Sequence, residues 1–164
     1  LFPYTTLFRS ARQREGQKLA EALLERTREL ARLAQSAAPL VPQLVEQQRQ
    51  KFLERWNEAI GLGEGGVTAQ VAHDRALAEA TAFAIRIDVA EEITRLQSHL
   101  HEVERLLQTP PPEGVGKRLD FLIQELHREA NTLGSKSALI DMTRISVDMK
   151  VLIEQMREQV QNLE

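Results

Sequence analysis

Gly116-Lys117-Arg118-Leu119-Asp120-Phe121-Leu122-Ile123-Gln124-Glu125-Leu126-His127-Arg128-Glu129-Ala130-Asn131-Thr132-Leu133-Gly134-Ser135-Lys136-Ser137 is the stretch whose reading decides the fold. Leu119, Leu122, Ile123, Leu126, Ala130 and Leu133 are spaced 3, 1, 3, 4 and 3, which is the period of one helix face. Gly134 stands where such a helix is expected to stop. Between the apolar positions lie Lys117, Arg118, Asp120, Gln124, Glu125, His127, Arg128, Glu129 and Asn131. An amphipathic helix needs a polar face, but this one carries acids, bases and an imidazole together.

Working outward, the same period recurs on both sides. Upstream, Val89, Ile93, Leu96, Leu100, Val103 and Leu107 step by four and three, a heptad seam near the end of a helix expected from Thr68 to Gln108. Downstream, Ile145, Met149, Leu152, Met156 and Leu163 repeat that spacing after a short break at Ser135-Lys136-Ser137. Two more helices are expected first: Ala11 to Ala38, with Leu19, Leu23, Leu30, Leu33 and Ala37 on one seam, and a second through Leu44, Val45, Phe52, Leu53, Trp56 and Ile60. Arg26 occupies one position of the first seam, its stem able to lie over apolar surface with the head in water. Pro39 and Pro42 forbid an unbroken helix and predict a bend or turn. Gly61 to Gly66 reads as a flexible loop. A phosphate cradle is the other reading, but no strand precedes it and no Gly-Lys-Ser/Thr follows. Thr109 to Gly114 holds three prolines and ends the long helix. The expectation is an all-α fold of about five long antiparallel helices with coiled-coil-like packing, joined by short Pro/Gly-rich connections.

Composition agrees. The 164 residues suffice for one domain with a core, aromatics are only 4%, and there is no cysteine, which excludes disulfides, zinc thiolates and thiol nucleophiles. A formal charge of −3 argues against binding polyanions through bulk charge, so a nucleic-acid contact requires a local basic patch or a metal ion. No apolar run approaches the roughly 20 residues of a membrane span. A soluble, cytoplasmic chain is expected. Residues 1–10, Leu-Phe-Pro-Tyr-Thr-Thr-Leu-Phe-Arg-Ser, hold the only Tyr and two of the five Phe, with no helical period and no initiating Met. They read as a translated adapter or vector scar rather than a signal peptide, leaving 11–164 as the native region.

Two clusters could carry chemistry. Asp88, Glu92, Arg95 and His99 fall at i, i+4, i+7 and i+11, along one helix face. Carboxylates one turn apart can share a hard divalent cation, His can move a proton and Arg can hold a phosphate. Glu125 and Glu129 form a second i, i+4 pair, with Asp120, Gln124, His127 and Arg128 on the neighbouring face and Lys117, Arg118 and Lys136 near the helix ends. The alternative for both is a solvated, salt-bridged helix surface. No Ser-His-Asp order, His-Glu-x-x-His motif or dinucleotide fingerprint is present. His73 and His101 are expected to be exposed.

Arg86-Ile87-Asp88-Val89-Ala90-Glu91-Glu92, the run from Gly116 to Leu126, the run from Arg128 to Ser137, and Lys150 to Glu164 together resemble the bacterial YicC/YloC family. Glu15-Gly16-Gln17 followed by Leu19 is similar to the start of that family's helical region. The likeness covers 11–164. It implies the helical C-terminal part of a stress-associated endoribonuclease that cleaves RNA with a divalent metal (Mn or Mg) and assembles into ring-like homo-oligomers, hexamers in the family. It also implies a strand-containing N-terminal half of about equal length, which this chain does not carry. His127 stands where the family usually has Asn, and Ala138-Leu139-Ile140 replaces a more polar turn.

On this basis the expected metal ligands are Asp88, Glu91, Glu92, Glu125 and Glu129. The expected RNA-positioning cations are Arg86, Arg95, Lys117, Arg118, Arg128 and Lys136. His99, His127 and Glu125 are the candidates for catalysis, with no small-molecule cofactor and no membrane partner expected. A helical module that builds an oligomer, or binds RNA or a partner without catalysis, is the rival reading, favoured by the heptad seams.

Overall fold

The structure, a computed structural model, describes residues 3–60, 67–108, 115–137 and 139–161. Five α-helices and one 3-10 turn follow in order: α1 Pro3–Ala37, η1 Ala38–Leu40, α2 Val41–Ile60, α3 Val67–Gln108, α4 Val115–Ser135 and α5 Ile140–Gln161. There is no strand among the described residues, so the chain is all-α. The expected glycine loop at 61–66 and the proline run at 109–114 lie outside the described residues.

The two prolines act more gently than expected. Pro39 sits in the first turn of η1, where a missing N–H costs nothing, and the flanking Ala37 and Val41 both keep right-handed helical angles (φ −75°, ψ −35° and φ −58°, ψ −47°). The backbone therefore tightens into a 3-10 turn without leaving the helical region. α1, η1 and α2 run on as one bent rod, so the five expected helices become four helical rods.

Cross-pairs between helices give the register. Arg49 on α2 reaches Glu79 on α3, Arg118 on α4 reaches Glu102 on α3, and Ser146 on α5 donates to the carbonyl of Ala130 on α4. Each pairing is antiparallel. α1, α3, α4 and α5 form an up-down-up-down bundle, each helix packing beside the next and α5 closing back onto α1. α2 and the first half of α3 continue past the bundle as a two-helix arm.

The bundle core contains Leu23, Leu30, Leu96, Leu100, Val103, Leu119, Ile123, Leu126, Met149, Ile153 and Met156. A second cluster at the root of the arm joins Ala37, Leu44, Val45, Val89, Ile93, Leu133 and Met142. Every apolar position of the 116–137 helix that the periodicity selects is buried. Among the described residues the other seams hold with small shifts; Leu163 and the side chain of Ile60, which end two of them, lie outside what is described. Leu106 is buried where Leu107 is only partly so, and Thr27 and Ala34 occupy the α1 core line. Arg26 stays half-exposed and reaches Glu29 at 3.8 Å, while the Thr27 hydroxyl is satisfied at 2.8 Å by the Leu23 carbonyl.

Gly134 does not end its helix by a left-handed turn. It lies inside the last turn of α4, where a Cβ would run into Ser146, 3.0 Å from its Cβ and closer still to its Oγ. Its missing side chain lets α5 approach.

Candidate metal centre

The groove between α3 and α4 is lined by two facing polar rows. Asp88, Glu92, Arg95, His99 and Glu102 repeat at four and three along α3, beside the buried line Val89, Ile93, Leu96, Leu100 and Val103. Arg118, Glu125, Glu129, Thr132 and Lys136 follow at seven, four, three and four along the facing side of α4 and its end. Because the helices are antiparallel, low numbers on one face high numbers on the other.

At one end Lys136 Nζ reaches Glu92 Oε1 at 3.1 Å and Asp88 Oδ2 at 3.5 Å. At the other, Arg118 reaches Glu102 Oε1 at 3.0 Å, and Arg105 holds the same carboxylate at 2.7 Å. Between them, one ligand atom each of His99, Glu125 and Glu129 lies within 4.8 Å of the others. Glu129 is only 2% exposed, and Glu92 8%. Arg95 pairs with Glu91 and lies 3.8 Å from Glu92; Arg128 lies 3.8 Å from Glu125.

Two buried carboxylates side by side cannot both ionise cheaply. Burial, then the hydrogen bond and negative charge of Glu92, push Glu129 up to about 7. Glu92 moves the opposite way, lowered by the hydrogen bond from Glu129, which outweighs its own burial, with Lys136 and Arg95 adding to the effect. The Glu129 carboxyl thus donates and the Glu92 carboxylate accepts. Burial pulls the Lys136 ammonium down, but Glu92 and Asp88 outweigh it and leave Lys136 raised.

The groove brings together Asp88, Glu91, Glu92, Arg95, His99, Glu125, Arg128, Glu129 and Lys136. It leaves others aside. Arg86 is exposed, roughly 160° round α3 from Asp88 at 100° per residue. His127 and Lys117 project from the other side of α4, with Asp120 and Gln124, whose side chains bond each other at 2.9 Å. An imidazole there cannot reach the Glu129 carboxyl on the opposite side of the helix. Arg118 remains in the groove but at its far end. Glu102 is the groove residue that sequence reasoning passed over, although it continues the row one step beyond His99. His73 and His101 are exposed.

The donor set suits a borderline divalent cation. One imidazole and two carboxylates supply mixed nitrogen and oxygen ligands, and ligand atoms sharing one ion at ~2.1 Å lie up to ~4.2 Å apart, so a small side-chain adjustment closes the set. Positive charge would also relieve the Glu92–Glu129 repulsion. Six carboxylates (Asp88, Glu91, Glu92, Glu102, Glu125, Glu129) meet five cations (Arg95, Arg105, Arg118, Arg128, Lys136), and the raised Glu129 leaves the charges of the groove close to balance.

Fold and groove together define a helical-bundle protein with a carboxylate- and histidine-bearing cleft between two antiparallel helices. Comparison with known proteins makes this specific: residues 37–164 match the family described as Endoribonuclease YicC-like, C-terminal, and the chain belongs to that family. It is 41% identical over 159 residues to the probable endoribonuclease YicC of Haemophilus influenzae, covering 97% of this chain and 52% of that protein. It is 33% identical over 156 residues to the probable endoribonuclease YicC of Clostridioides difficile, covering 95% and 51% respectively. The chain spans about half the length of these curated relatives. Among the described residues no helix is long and apolar enough to cross a membrane.

Proposed function

We propose that this chain is the helical part of an endoribonuclease in which His99, Glu125 and Glu129 hold a divalent cation against RNA. The observation carrying the reading is the convergence of those three side chains around a buried carboxyl, in a family whose curated relatives are named for RNA cleavage. When bound, the cation supplies a water of lowered pKa and neutralises charge developing on the phosphodiester. The imidazole nitrogen favours Mn over Mg, which prefers an all-oxygen shell.

The chain's own residues do the rest. On cation binding the Glu129 proton passes to solvent, leaving Glu129 able to ligate beside an ionised Glu92. Arg128 and Arg95, exposed on the two rims of the groove, orient the flanking phosphates. Lys136 fixes Glu92 by its 3.1 Å contact and keeps that carboxylate ionised. In this reading Asp88 and Glu91 hold cations and do not ligate, and Arg86, Lys117 and His127 have no part in the chemistry. The setting is cytoplasmic.

The test combines metal binding with cleavage. Calorimetry of Mn2+ on the chain and on its Glu129→Gln and His99→Ala variants should show affinity reduced at least about 10-fold in each. RNA cleavage, measured with and without EDTA on the chain and on a protein carrying the other half present in its relatives, should follow the same order. Unchanged Mn2+ affinity in both variants would overturn the metal assignment.

A further inference from the structure

A second groove runs between α1 and α3, on the flank of α3 turned away from α4. Its floor is made by Thr27 and Ala31, one turn apart on α1, and by Leu100 on α3. Neighbouring positions of the α1 seam carry leucine, but these two are small, and the space a leucine would fill remains as a cavity of about 270 Å³. The rim is polar. The antiparallel register that sets Ala31 against Leu100 brings Gln35 beside Gln97 at one end, and Arg28 beside His101 and Glu104 at the other. The two ends are about 10 Å apart along the helix axis, which gives room for a base with its ribose.

Two of the polar groups are already engaged. The Thr27 hydroxyl donates to the Leu23 carbonyl, and Glu104 accepts from Gln108 at 3.2 Å. The side chains of Arg28, Gln35, Gln97 and His101 make no hydrogen bond among the described residues. An apolar floor with a few convergent polar groups is the usual composition of a ligand site. Two carboxamides, each a donor beside an acceptor, face this one. Adenine carries the matching pair on its edge, the N7 acceptor beside the N6 amine, and one glutamine side chain bonds both. Imidazole and guanidinium planes are surfaces on which an unstacked base rests. The one arginine of the groove faces Glu104, so no net charge draws a bare phosphate. Recognition falls to the face and edge of a planar ring.

We propose that the α1–α3 groove is a binding site for an adenine base, its edge read by Gln35 and Gln97 and its face laid against His101 and Arg28. The base can come from a free nucleotide or from a single-stranded RNA, and the placement of the groove favours RNA. His99 and His101 are two positions apart, about 200° round α3. The groove and the candidate metal centre therefore flank the same helix at the same height. A strand leaving the groove crosses the exposed Ser98 and Arg95 to reach that centre, half a helix circumference or about 17 Å away. The RNA source rests on the nuclease reading; the adenine site does not.

The probes are AMP, UMP and ribose 5-phosphate, titrated onto the chain and followed by NMR of its histidine rings. AMP should shift His101 saturably, leave His99 and His127 in place, and bind about 10-fold or more tighter than UMP or ribose 5-phosphate. Gln35→Leu and Gln97→Leu, both at exposed positions, should each weaken AMP about 10-fold. Helical circular dichroism and Mn2+ affinity should stay unchanged in both variants, so a failed metal centre and a failed adenine site give different results. Displacement of a short labelled oligoadenylate by AMP assigns the site to RNA; an oligoadenylate that stays bound while AMP saturates His101 assigns it to a free nucleotide. No saturable AMP binding, equal binding of AMP and ribose 5-phosphate, or indifference to both glutamine substitutions would each overturn the proposal.

Discussion

Glu129 is the residue whose environment departs furthest from what its type prefers, and this has a consequence for stability. Its folded-state pKa lies above that of an unfolded glutamate, so the native state holds its proton while the unfolded chain has released it. The stability that Glu129 contributes without metal is therefore fully present below the ordinary glutamate value and is lost as pH rises through about 7. Glu92, shifted downward, acts in the opposite sense but below that window. Glu129→Gln should flatten the profile between pH 5 and 8 and raise stability at pH 8 by on the order of 2 kcal/mol, measured by denaturant titration. Saturating Mn2+ should stabilise the wild type by about 2.7 kcal/mol at 100 times its dissociation constant, and His99→Ala should remove that gain. At Gly134 the constraint is steric. Gly134→Ala forces its Cβ into Ser146 and should cost about 1–3 kcal/mol, despite the better helix propensity of alanine.

For α4 as an element, the sequence and structure agree closely, and two large apolar residues show why. Leu126 and Phe121 are both apolar and five positions apart. Leu126 is fully buried, whereas Phe121 is 59% exposed. Leu126→Ala should destabilise by about 2–5 kcal/mol, while Phe121→Ser should stay within about 0.5 kcal/mol; thermal unfolding of the pair separates them. Periodicity identified the buried face correctly because the apolar stripe of a helix packed on its neighbours must repeat with the helix itself. It does not speak to Pro39 and Gly134, whose usual meanings are bend and stop: the bend is present as the 3-10 turn η1, whereas Gly134 lies inside its helix. Both meanings are preferences of isolated backbone. Here the first turn of η1 needs no proline N–H, and the approach of α5 gives the glycine a different purpose.

At the scale of the whole molecule, the rows of the α3–α4 groove are an antiparallel pairing that neither helix specifies alone. The single-helix pattern made Asp88, Glu92, Arg95 and His99 neighbours, and made Glu125 and Glu129 another pair. Which member faces which depends on the register between helices. That register places His99 beside Glu125 and Glu129, commits Lys136 to Glu92 and sets Arg118 on Glu102. Lys136→Met should leave Glu92 buried beside Glu129 without its cation and destabilise the fold by about 1–3 kcal/mol, a loss that Glu92→Gln in the same chain should partly reverse. Local periodicity and composition by themselves determined that the chain is helical, which faces are apolar, and that its residues resemble one bacterial family, because these depend only on neighbours within a few turns. Only the tertiary structure decided that four rods result rather than five helices, that His127, Lys117 and Arg86 stand apart from the groove, and that Glu129 loses its water. Each of these depends on contacts between segments distant in the chain, where the cost of burying a charge is set by what the opposing helix supplies.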